Sequence, residues 1–158
     1  SSGILGPYFF THAHGNAITI NRHHYSEMLN DFLLPQLDNR NAKIWFQQDG
    51  ATAHTARQSI NILKQSLPGH LISRFGDIHW PARLPDFTVP DLFMWGHLKM
   101  KVFATCPQTL ADLKARVRKA VHNIPMDMLH CIMHAFILRL EEYVARNGGH
   151  LPGVNFKY

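Results

Sequence analysis

KIWFQQDGATAHTAR, residues 43–57, decides how the rest of the chain is read. Ile44, Trp45 and Phe46 form a β-prone apolar run with no polar break. Such a run suits a strand buried on both faces, in the middle of an α/β sheet. Asp49-Gly50 ends it. Beyond the turn, Ala56, Ile60, Leu63 and Leu67 recur at steps of four, three and four, the spacing of a helix with one apolar face. Thr52 and Thr55 are candidate N-caps. Asp49 is therefore expected at the carboxyl end of a central strand, just before a helix. In open α/β sheets that edge is where ligands and chemistry collect. Asp-Gly is also a common turn pair, and the helical second flank excludes a hairpin. A metal-binding role for Asp49 requires partner carboxylates from elsewhere in the chain.

Upstream, GILGPYFF (residues 3–10) reads as a strand, with Pro7 marking a bulge or an edge. Residues 11–16 read as a turn and 17–20 as a second short strand, so an antiparallel pair is expected. Tyr25, Met28, Leu29, Phe32 and Leu33 mark an amphipathic helix, weakened at Pro35 and ended by residues 38–40. Downstream, Pro68-Gly69 breaks the helix that follows Asp49, and residues 71–75 read as a short strand. The prolines at 81, 85 and 90 imply a stiff, extended connection.

A helix begins at Pro90-Asp91, where proline suits the first turn and aspartate the positive end of the dipole. Its apolar side is Leu92, Trp95, Leu98 and Val102. Two further helices close the chain. One presents Leu110, Leu113, Val117, Val121 and Ile124, with Thr109 as cap and Asp112 three residues on. The other presents Leu129, Ile132, Met133, Phe136, Leu140 and Val144, with Gly148-Gly149 as its stop. The order of elements implies a single α/β domain with a mixed sheet.

The 158 residues carry 46% hydrophobic side chains, enough for a sizeable core, and a net charge of +5. The basic balance favours an anionic partner such as nucleic acid. Cys106 and Cys131 form neither a disulfide framework nor a Cys-x-x-Cys motif, which fits a reducing compartment. No apolar run reaches the ~18 residues of a membrane span. The chain opens with Ser and runs straight into strand-like residues, so it reads as a fragment.

Asp91 follows Asp49 by 42 positions. The words around the two acids, WFQQDGATAH (residues 45–54) and PDFTVPDLFMWGHLK (85–99), resemble the catalytic core of the mariner-like transposases of the DDE superfamily. GILGPYFF (3–10) and RNGGH (146–150) resemble the same family, so the similarity spans nearly the whole chain. The resemblance implies a ribonuclease-H-like fold and a triad of carboxylates, with Asp49 as the second and Asp91 as the third. It further implies nuclear DNA cleavage and strand transfer, with transposon ends and target DNA as partners, no membrane, and a homodimer as a further expectation. The cofactor implied is a pair of Mg²⁺ or Mn²⁺ ions ~3.5–4 Å apart, which activate a nucleophile and stabilise the leaving oxygen. Hard cations take carboxylate oxygens.

In the family the first carboxylate lies on the fold's first strand, upstream of the motif that GILGPYFF resembles. No Asp or Glu precedes Glu27 here. The expectation is therefore a fold without its central first strand, and a chain inactive by itself. Leu84 and Val89 stand where the family has Ser and Pro.

His54, Arg57 and Lys99 are candidate nucleic-acid contacts, and His54 equally suits ordering the turn after Asp49. Asp86 is an alternative third acid, less favoured because the family pattern puts its acid on the helix. His130 and His134 have the i, i+4 spacing of zinc ligands but lack the Glu of a metalloprotease. Lys114, Arg116, Arg118 and Lys119 read either as phosphate contacts or as a solvated helix face.

Overall fold

A computed structural model describes residues 3–12, 15–38, 44–80, 88 and 90–147, the side chains of Asp91 and Leu92 excepted. The chain forms two compact units, one of Leu5–Leu84 and one of Ser1–Ile4 with Pro85–Tyr158.

In the Leu5–Leu84 unit, helix α1 (Arg22–Met28) starts at Asn21, whose side chain accepts from the His23 and His24 amides. It passes through a π-helical turn (Leu29–Leu33) into α2 (Leu34–Asp38). The helix thus continues through Pro35, where weakening was expected. The ring removes a backbone donor at that point. The wider turn just before it re-spaces the ladder, with Leu34 N–H donating to the Leu29 carbonyl.

Strand β1 (Phe46–Gln47) precedes α3 (Thr52–Thr55) and α4 (Arg57–Ser66), followed by β2 (Leu71–Ser73) and β3 (Ile78–His79). The sheet order is β1-β2-β3, and both pairings are parallel, with Phe46 opposite Leu71 and Ile72 opposite Ile78. The protein is α/β, but among the described residues the sheet is parallel rather than mixed.

Residues 3–10 form no strand. Gly3 and Gly6 sit at φ +90 and +104, which breaks the pleat. The expected antiparallel pair is reduced to one bridge between Thr11 and Ala17. Strand β1 is also shorter than expected and, among the described residues, lies at the edge of the three-stranded sheet rather than at its centre. Trp45 is 52% exposed, its ring 4.8 Å from that of His70.

Strands β2 and β3 lie parallel with only residues 74–77 between them, where parallel neighbours ordinarily need a crossover of a dozen or more. The turn holds because Asp77 N–H donates to the Leu71 carbonyl at 2.8 Å and Asp77 Oδ2 accepts from Leu71 N–H at 3.1 Å. Phe75, expected in the strand, lies in this turn and is exposed.

The core of this unit is Tyr25, Leu29, Ala53, Ile60, Leu63 and Leu71, with Phe10, Met28 and Phe46 packed on it. It joins α1 and α4 to the sheet. Ile60 and Leu63 are the positions that helical spacing assigns inward.

In the other unit a π-helical turn (Pro90–Met94) leads into α5 (Trp95–Val102), then α6 (Leu110–His122) and α7 (Met126–Ala145). Leu98, Val102, Ile124 and Ile132 are buried there. Thr109 caps α6 as expected, its side chain accepting from Asp112 N–H. The Asp112 carboxylate accepts from Gln108 N–H at 3.2 Å. Trp95, expected on the apolar side of α5, is exposed. On α7 only Ile132 is buried among the expected apolar face, while Met133 and Val144 are exposed. Gly148-Gly149 lie outside the described residues.

Candidate functional site

The site is built at the end of β1. Gln48 N–H donates to the Ile72 carbonyl at 3.0 Å, which extends the parallel ladder one residue past the strand. Side chains alternate across a strand, so Gln48 falls on the face of Phe46, toward the core. Its side chain is 6% exposed, and both ends of its amide are used. Tyr25 donates its hydroxyl to Gln48 Oε1 at 2.9 Å, and Gln48 Nε2 donates to the His54 carbonyl at 3.0 Å. A buried amide left without partners would be costly. This one ties α1, the end of β1 and α3 together.

Asp49 comes next and turns outward, its side chain 58% exposed. Its Oδ1 accepts from Ala51 N–H at 3.0 Å, an Asx turn that opens α3. The same oxygen meets His54 Nδ1 at 2.5 Å. With Nδ1–H as donor, the imidazole presents Nε2 as its remaining acceptor. Asp49 Oδ2 has no partner among the described residues, so it is the oxygen open to a ligand.

The expected caps are corrected. The N-cap positions of α3 and α4 are Ala51 and Ala56, and neither Thr52 nor Thr55 caps by side chain. Thr55 Oγ1 instead donates back to the Ala51 carbonyl at 3.1 Å. Asp49 accepts from the N–H of Ala51, the N-cap residue itself, so it fixes the turn into α3 without capping a helical N–H. The helix breaks at Ala56, whose ψ of 137 is extended. Ser59, buried on α4, closes the break by donating to the Ala53 carbonyl at 2.8 Å. Both Ala53 and His54 are thus held from the inside by their carbonyls, and the His54 ring lies where α3 places it.

Tyr25 lies under this arrangement, its ring 4.5 Å from that of His54. Burial pushes its hydroxyl well above the ordinary phenol value of 10.0, and the Asp49 charge adds to the rise. Tyr25 therefore stays protonated and stays a donor to Gln48.

Tyr25 and Gln48 were not among the residues expected to serve the site. Tyr25 counted as one apolar position on a helix. Its partner is 23 residues away, and no local spacing points to it. For Gln48 a signal exists: period-two alternation from Phe46 places a polar side chain on the core face.

Arg57 opens α4 and Lys99 lies on α5, both exposed. Asp91 lies in the π-helical turn Pro90–Met94, in the unit that does not contain Asp49. Asp86 and Val89 lie outside the described residues. His130, Cys131 and His134 are exposed on α7. Among the described residues no three His, Cys, Asp or Glu side chains group to hold a metal ion. No helix among them is long and apolar enough to cross a membrane.

The fold and this site define an α/β protein with a solvent-facing Asp–His pair at the carboxyl end of a parallel strand. Comparison with protein-family models, with curated proteins and with solved structures found no match.

Proposed function

We propose that this chain is part of the catalytic domain of a transposable-element transposase of the mariner-like DDE type, with a ribonuclease-H-like arrangement. The observation that carries the reading is the position of Asp49. It stands at the carboxyl end of a parallel strand, before a helix, with one carboxylate oxygen uncommitted and facing solvent. The likeness of the words around Asp49 and Asp91 to the family's catalytic motifs supplies the chemistry.

Asp49 fits a divalent-cation ligand: it offers a hard oxygen at Oδ2, and His54 and Ala51 hold Oδ1, which limits rotation of the carboxylate. Asp49 and Asp91 are the residues that would hold Mg²⁺ or Mn²⁺. When bound, such ions activate the attacking oxygen and stabilise the leaving one in phosphodiester cleavage and strand transfer. The chain's own residues do the rest. Tyr25 and Gln48 fix the strand end, and His54 orients Asp49. Arg57 and Lys99 supply positive charge for DNA phosphates. Asp49 and Asp91 supply two of the three carboxylates that the family's chemistry needs, and in this reading residues 1–158 are inactive by themselves.

Mn²⁺ titration followed by electron paramagnetic resonance tests the reading. Asp49→Asn and Asp91→Asn should each weaken the same binding event about tenfold or more. Unchanged Mn²⁺ affinity in Asp91→Asn would show that the two acids do not share an ion. Robust Mg²⁺-dependent nicking by the wild-type chain, abolished by Asp49→Ala, would overturn the inactivity.

The second reading is a transposon-derived module that binds DNA or a partner without catalysis. It is favoured by the exposure of Met133, Ile137, Leu138 and Val144 on α7, more apolar surface than a solvated helix needs. Duplex binding that persists while Mn²⁺ binding is absent would select it.

A further inference from the structure

The α5–α7 unit contains a cavity of about 610 Å³ whose polar lining is basic or neutral. His97 and Lys101 reach it from α5, Arg116 and Lys119 from α6, and Asn123 from the C-cap position just beyond α6. The spacing explains the convergence. Residues 97 and 101 are i, i+4 on one helix, and 116 and 119 are i, i+3 on the other, so each pair shares one face. Pro125 and Met128, at the start of α7, complete its lining.

Arg116 is pinned. Its Nε donates to Asp112 Oδ1 at 2.8 Å, and Nη1 reaches the carbonyl and hydroxyl of Thr105. This hydrogen bond from Arg116 holds the Asp112 carboxyl below the usual carboxylate range. Nη2 has no partner among the described residues, so two donors of the fork remain. Lys101 and Lys119 have no acidic partner among the described residues. No Asp or Glu lines the cavity. Asp112 offsets the charge of Arg116, which leaves Lys101 and Lys119 as like charges facing one hollow, and an anion between them relieves their repulsion. The amides of the first turn of α7 favour an anion, while Asp127 and the carboxyl end of α6 oppose it.

Size narrows the class. A water's share of liquid is ≈ 30 Å³, so the hollow is many waters large and falls within the range of ligand sites. Lysine ammonium groups and a guanidinium fork match phosphate oxygens.

We propose that the cavity between α5 and α6 is a phosphate-binding site, with Lys101, Lys119 and Arg116 as its cationic donors and Asn123 as a neutral one. Its phosphate belongs either to a nucleic-acid backbone or to a free polyphosphate. The site lies within one unit and does not rest on metal binding at Asp49, which Mn²⁺ titration reads separately.

The test is binding of a fluorescein-labelled 20-base-pair duplex, by anisotropy at 50 and 200 mM salt, and of inorganic pyrophosphate, by calorimetry. The full chain is compared with Lys101→Glu/Lys119→Glu and with Arg22→Glu/Lys64→Glu, which makes the same change in net charge elsewhere. The first variant should lose at least tenfold in affinity, and its salt slope should fall by about 1.8 if two phosphate contacts go. The control should keep most of the wild-type affinity. Loss confined to the duplex assigns the site to a nucleic-acid backbone, and loss of pyrophosphate to a free phosphate. The inference is overturned if wild type binds neither probe. It is equally overturned if the cavity variant binds like wild type, or if the control loses as much. Lys101→Gln/Lys119→Gln serves in place of the glutamate variant should circular dichroism show that one unfolded.

Discussion

Tyr25→Phe tests whether the hydrogen bond beneath Asp49 holds the site together or only fills space. The substitution keeps the ring, and with it the packing on Leu29, Leu63 and Leu71 in the core. It removes one hydroxyl, and Gln48 Oε1 then loses its one donor among the described residues while remaining buried. Leaving a buried acceptor unpaired costs about 1–3 kcal/mol. Gln48→Leu takes the other side away and strands both the Tyr25 hydroxyl and the His54 carbonyl. The double variant removes donor and acceptor together. Its loss should fall short of the sum of the singles by roughly 0.5–3 kcal/mol, the range for residues in contact.

Urea unfolding followed by circular dichroism and tryptophan emission measures all four proteins. The pH dependence gives a second readout. Tyr25 has its hydroxyl pKa raised in the fold, above 10.0. The folded state therefore holds the proton more tightly than the unfolded chain, and stability must fall as pH rises above 10. Wild type should keep its advantage over Tyr25→Phe up to about pH 10 and lose it progressively from about pH 10 to 12. Additive single and double variants, or a wild-type advantage that is flat or grows over that range, would refute the reasoning.

Gly76→Ala should be among the most damaging small substitutions. An added Cβ would lie 2.4 Å from the Leu71 carbonyl oxygen and 2.8 Å from the Ser73 nitrogen, and backbone atoms in a ladder have little room to yield. A loss of about 1–3 kcal/mol in urea is expected, with broadened amide resonances for β2 and β3. Thr109→Ala removes the acceptor for Asp112 N–H and should cost about 1 kcal/mol, whereas Thr109→Ser should recover most of it. Leu63→Ala empties a fully buried position and should cost about 2–5 kcal/mol. Amide exchange should then accelerate across α4.

Local chemistry was legible wherever neighbours in sequence are also neighbours in space. Thr109 with Asp112, and Ile60 with Leu63, need only one turn of helix to act, and they act as their spacing implies. Asp49 at a strand end before a helix was legible for the same reason. Expectations failed where a distant partner or backbone geometry decides. GILGPYFF has strand composition, yet Gly3 and Gly6 adopt positive φ. The apolar run at 44–46 implied a central strand, and among the described strands β1 is an edge. Neither Thr52 nor Thr55 caps, because the N-cap positions of α3 and α4 are Ala51 and Ala56, which carry no acceptor side chain.

By itself the sequence determined an α/β chain of basic charge, the helical faces, and an acidic residue poised where a strand meets a helix. These follow from periodicity and composition, which are properties of short segments. Only tertiary structure decided that Tyr25 reaches Gln48, that Gln48 grips the His54 carbonyl, and that three cations from two helices line one cavity. Each of these joins residues from different elements. The physical requirement behind them, that a buried polar group find a partner and like charges find an anion, is met across space and leaves no mark in local spacing.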